Sequence, residues 1–68
     1  MWKISVLLNG NEEKLKETFK GLTYAQVEVM NLWKDNRDAV YYIWGPNNKV
    51  VAMSYVNDGK LRWGYTGN

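Results

Sequence analysis

Seven carboxylates, Glu12, Glu13, Glu17, Glu28, Asp35, Asp38 and Asp58, are the side chains of this sequence best suited to acid–base work. None stands in an apolar context that would raise its pKa for general-acid chemistry. Glu12, Glu13 and Glu17 read as a solvated charged stretch. Asp35 and Asp38 flank Asn36-Arg37, but the spacing matches no EF-hand loop, so a polar link between two elements is expected. The chain has no histidine and no cysteine. Disulfides, thiolate metal sites and the commonest zinc ligand are therefore excluded, and so is the only side chain that titrates near neutrality unperturbed. Ser5 and Ser54 consequently lack an imidazole to activate them. There is no G-x-G-x-x-G and no glycine-rich loop ending in Lys-Ser or Lys-Thr. The expectation is a protein that is not an enzyme, with no catalytic, cofactor-binding or metal-binding residues.

Binding remains. Lys60-Leu61-Arg62-Trp63 interleaves cations with an aromatic ring, as a strand that stacks a base and holds a phosphate would do. Simple strand alternation also explains it, with Trp63 inward and Lys60 and Arg62 in water. Net charge is +2, from nine Lys and Arg against seven Asp and Glu. That balance lacks the clustered basic face of a dedicated nucleic-acid binder, so alternation is the preferred reading. The four Trp, five Tyr and one Phe each bury roughly 150–250 Å², so a few rings can build a small core or line a contact surface.

These residues must be held by one domain spanning 1–68, because so short a chain has room for a single core and buries only about 60% of its unfolded surface. Trp2, Ile4, Val6 and Leu8 alternate with Lys3, Ser5 and Leu7, the pattern of a half-buried strand. Asn9-Gly10 follows as a turn. Residues 11–21 admit two readings. As a helix, Asn11 caps, Leu15 and Phe19 share a face and Gly21 is the left-handed C′ residue. As the second arm of an Asn-Gly hairpin, the stretch is a lysine-guarded edge strand that places Glu17 beside Leu15 and Phe19. Thr23 and Gln26 then have capping-box spacing, and Leu22 and Val27 that of a hydrophobic staple, predicting a helix over 24–35 with Thr23 as N-cap. Its apolar stripe is Ala25, Val29, Leu32 and Trp33, with Met30 beside it. Residues 39–65 read as a three-stranded meander broken at Gly45-Pro46-Asn47-Asn48-Lys49 and Asn57-Asp58-Gly59. A three-residue second loop, pairing Tyr55 with Leu61 and Met53 with Trp63, gathers Val40, Tyr42, Trp44, Val51, Met53, Tyr55, Leu61, Trp63 and Tyr65 on one face. That face is expected to be the core.

The predicted class is α+β: an antiparallel sheet of four to five strands with the helix packed on one face, in the order ββαβββ or βααβββ. The other face of the meander carries Ala39, Tyr41, Ile43, Val50, Ala52, Ser54, Val56, Arg62 and Gly64, and has little charge for a solvated surface. Tyr41, Ile43, Val50, Val56 and Arg62 are accordingly the candidate interaction surface. The expected function is a non-catalytic binding module that docks a protein partner or a second copy of itself, as a homodimer or larger. The alternative is a small single-stranded nucleic-acid or nucleotide binder. In general character, tiny, aromatic-rich and without catalytic residues, the chain is similar to the short proteins with which bacteriophages block host machinery. No apolar run approaches the roughly 18 residues that span a bilayer, so no membrane partner is expected. The absence of cysteine and of a signal-like leader points to the cytoplasm.

Overall fold

Asn9 and Gly10 both adopt positive φ, 54° and 82°, the backbone of a two-residue primed hairpin turn. In the computed structural model, which describes residues 1–66, this turn joins β1 (Trp2–Leu8) to β2 (Asn11–Phe19), with Leu8 opposite Asn11. The ambiguous segment is thus a strand. Gly21, with φ of −165°, is extended rather than left-handed. A bulge resolves the objection to the strand reading. Between Ser5↔Lys14 and Lys3↔Thr18, β2 advances further than β1. Within that excursion Glu17 stays exposed while Leu15 and Phe19 are half-buried.

The helix α1 (Leu22–Asp35) follows, then β3 (Val40–Trp44), β4 (Val50–Asn57) and β5 (Lys60–Tyr65). All five strands form one open antiparallel sheet in the order β2-β1-β3-β4-β5. β2 and β3 flank β1 and run in the same direction, so a tight turn cannot join them; α1 supplies the crossover. The fold is α+β.

Three expectations are corrected. Thr23 is not the N-cap. Helical backbone starts at Leu22 with Gly21 as N-cap, and no side chain caps the end. The Ala25 N–H donates to the Gly21 carbonyl at 3.2 Å, and exposed Thr23 lies inside the first turn. The second hairpin loop has two residues, not three. Asp58 and Gly59 take φ of 55° and 71°, a primed turn whose twist suits the strands it joins. Val56 therefore pairs with Leu61, Ser54 with Trp63 and Tyr55 with Arg62.

The third correction follows from the second and concerns which face is inside. The core is Ile4, Ala25, Val29, Ala39, Tyr41, Ile43 and Ala52, with buried Ser54 beside it. α1 lies against β1, β3 and β2 on the side that carries Ile4, Val6, Tyr41 and Ile43. Ala25 and Val29, four apart, bring one helix stripe onto Ile4, Tyr41 and Ile43. Leu61 and Trp63 share that side half-buried, since their partners Val56 and Ser54 do. Ser54 is buried at no cost in unpaired groups, because its Oγ accepts the Tyr41 N–H at 2.9 Å. Gly64 and Tyr65 close β5, and the Thr66 N–H donates to the Val51 carbonyl at 2.9 Å; Gly67 and Asn68 lie outside the described residues.

Ile43→Ala, at a fully buried position, is expected to cost about 2–5 kcal/mol. Thr23→Ala should stay within about 0.5 kcal/mol of the parent, as surface changes do. Thermal melts of the two variants check this: a loss at Thr23 comparable to that at Ile43 would contradict the uncapped helix start.

Candidate functional site

Residues paired across a sheet share a face, and the observed register assembles the uncovered one. Lys3 stands opposite Trp44, Ser5 opposite Tyr42 and Leu7 opposite Val40. Tyr42 stands opposite Met53, Met53 opposite Gly64, Tyr55 opposite Arg62 and Asn57 opposite Lys60. On the other flank Lys14 joins Ser5, and Glu12 joins Leu7. The result is a strip of rings and Met53 on the adjacent inner strands β3 and β4. Lys3 and Lys14 border it on one side, and Lys60 and Arg62 on the other.

The Trp44 ring is held rather than loose. The Trp44 Nε1–H donates to Ser5 Oγ at 2.9 Å, and the Ser5 hydroxyl donates to Glu12 Oε2 at 2.8 Å. The Lys14 Nζ sits 4.1 Å from the centroid of the Trp44 ring, a cation–π contact worth about 0.5–1 kcal/mol at an exposed site. Ser5 is thereby buried although it lies on the outer face. Glu12, read from sequence as merely solvated, anchors this chain of contacts. Tyr55 and Met53 are 46% and 38% exposed, while Tyr42 and Trp44 are half-buried. Gly64 leaves a gap opposite Met53, where a Cβ would meet Met53 Cγ at 3.7 Å and Tyr55 Cε1 at 3.8 Å.

The residues expected to form an interaction surface are dispersed. Tyr41 and Ile43 are 1% and 0% exposed beneath α1, so the face expected to be open is the one the helix covers. Val50 is half-buried at the bulge opposite Trp44. Val56 is about half exposed on the helix side, and Arg62 projects from the opposite face. Trp63 turns toward the helix side while Lys60 and Arg62 face water, as strand alternation requires. Sequence reasoning missed the grouping of Lys3, Lys14, Lys60 and Arg62, which come from three strands and form no run. The usable signal was the shared parity of Lys3 with Ser5, and of Lys60 with Arg62.

Among the described residues no group of three or more carboxylates is placed to hold a metal, and no helix is long and apolar enough to cross a membrane. No family model matches the chain, and neither the curated proteins nor the solved structures yield a significant match.

Burial raises the Tyr41 phenol above its ordinary pKa, and the negative charge of Asp35 adds to the effect. The unfolded chain then loses this proton before the folded one does, so stability falls as pH rises above about 10. Tyr41→Phe should lower stability at neutral pH, because it removes the hydroxyl that donates to the Asn36 carbonyl at 3.3 Å. It should also flatten the alkaline decline. Denaturant melts across that range read both effects; an unchanged alkaline slope would contradict the assignment.

Proposed function

We propose that the open face of the sheet binds single-stranded nucleic acid. The observation that carries this reading is one exposed face holding Tyr42, Trp44, Met53 and Tyr55 between the cations Lys3 and Lys14 on one side and Lys60 and Arg62 on the other. Base faces stack on rings, and each stacked base is worth about 1–3 kcal/mol. Phosphates are drawn to the flanking cations. The sheet spans four inter-strand spacings, about 19 Å, so the cations frame the ring strip on both sides. Duplexes hide the faces of their bases, and stacking on rings therefore selects single strands. The overall charge of +2 does not oppose this. On the open face the four cations meet one carboxylate, Glu12, whose Oε2 already accepts from Ser5.

A protein-contact role, with a partner or a second copy, is the second reading. Its support lies on the helix: Tyr24, Val27 and Met30, spaced by three, are 64%, 53% and 50% exposed and form an outward apolar stripe.

Fluorescence anisotropy with a labelled oligothymidylate of about 10 nucleotides separates the two, on the site sizes usual for such surfaces. Engagement of three to four phosphates predicts a slope of log K against log salt of about −2 to −3. Tyr55→Ala should cost about 1–3 kcal/mol of binding, and Arg62→Ala should weaken binding and lower the slope by about 0.7. Absence of binding at low salt would overturn the nucleic-acid reading. Self-association that resists salt and is lost in Val27→Lys would support the helix stripe instead.

A further inference from the structure

A second feature lies away from the open face, where the end of α1 meets the β4–β5 hairpin. Met30, Trp33, Lys34 and Arg37 face Gly59, Lys60 and Leu61 across a groove of about 300 Å³, at the small end of the range for ligand pockets. Its composition is one-sided. Every ionisable side chain lining it, Lys34, Arg37 and Lys60, is a cation, while Met30, Trp33 and Leu61 supply apolar surface. Another hollow, beside the β1–β2 turn, is of similar size but is lined by Glu13 and no cation.

Trp33 adds two observations. The Arg37 guanidinium carbon sits 4.7 Å from the centroid of its ring. A guanidinium over a ring interacts through its flat face and keeps its in-plane N–H donors for a bidentate anion. The Trp33 Nε1–H is the one buried side-chain polar group among the described residues with no hydrogen-bond partner. Buried donors are nearly always paired; this one is shut off from solvent, so a ligand seated in the groove is sensed through the Trp33 ring and not by a bond to its N–H.

We infer that this groove binds a small organic anion: an apolar, ring-sized body carrying a carboxylate, sulfonate or phosphate. The body packs between Met30 and Leu61 against Trp33, and the anionic group is held by Arg37 and Lys34 at the rim. Charge complementarity selects this class over neutral molecules, and the volume limits it to about one ring system. Lys60 is shared with the proposed nucleic-acid face, but Arg37 and Lys34 do not lie on that face.

The test is a titration of the full chain, labelled with nitrogen-15, with naphthalene-2-sulfonate, followed through the tryptophan indole N–H resonances. The Trp33 resonance is assigned through its through-space contacts, so no variant at this packed position is required. Saturable movement of that resonance is expected. Affinity should fall about tenfold in the double variant Arg37→Ala/Lys34→Ala, and about tenfold for the neutral isostere naphthalene-2-methanol, the loss expected when charge-assisted hydrogen bonds are removed. Both substituted positions are exposed, so the variant should fold as the parent does. Oligothymidylate binding should persist in it. A Trp33 resonance that does not move, equal affinity for the alcohol, or equal affinity in the double variant would each overturn the site. Binding of the sulfonate without binding of oligothymidylate would leave the groove standing and remove only the nucleic-acid reading.

Discussion

One helix cannot cover both faces of a sheet, and the rest of this structure follows from that limit. α1 has fourteen residues and is about 21 Å long at 1.5 Å per residue. It lays Ala25 and Val29 on Ile4, Tyr41 and Ile43 and excludes water from one side of the sheet. No second layer exists among the described residues, so the other side meets solvent. Ala39, Ala52 and Ser54 lie on the helix side together with the larger Ile4, Tyr41 and Ile43. The rings of Tyr42, Trp44 and Tyr55 are left on the outside.

A sheet face left open with large rings on it is a liability unless something limits its stickiness. Here polar groups do so from within the strip. The Trp44 indole is tied to Ser5 and roofed by Lys14, Ser5 is tied to Glu12, and Arg62 stands directly opposite Tyr55. Each contact is weak alone, of the order expected for exposed cation–π and cross-strand pairs. Together they keep the Trp44 ring oriented and the face cationic. The same arrangement suits a polyanion with flat bases, so the polar and cationic groups that interrupt this face are those that would make it a binding surface.

The two proposed sites divide the molecule. The open face is broad, exposed and assembled from all five strands. The groove beside Trp33 is small and lies between the last turns of α1 and one hairpin. Lys60 belongs to both, pairing with Asn57 at the end of the open face and lining the groove. The β4–β5 turn is therefore the place where occupancy of one site would be felt at the other.

Local signals in the chain determined a good deal of this. Asn9-Gly10 and Asp58-Gly59 are residue pairs that accept positive φ at low cost, and both became two-residue turns. Alternation marked Trp2–Leu8 and the strands of the meander, and the stripe of Ala25, Val29, Leu32 and Trp33 marked the helix. The helix start was misjudged because a capping box records only compatible spacing. Helical backbone begins at Leu22, so Thr23 lies inside the first turn and Gly21, whose carbonyl takes the first intrahelical bond, is the N-cap. What sequence alone did not determine is which face of the sheet became the core. Along β3 and β4 both sets of alternate residues are apolar enough to be buried, so period-two patterning is silent between them. Size argued for burying Tyr42, Trp44 and Met53. Packing decided the reverse, because the α1 crossover from β2 settles over β1 and β3 on the side of Ile4, Val6, Tyr41 and Ile43. That choice, made only when distant elements meet, placed Tyr41 and Ile43 in the core. It also gathered Lys3, Lys14, Lys60 and Arg62, scattered along the chain, around a single ring-bearing face.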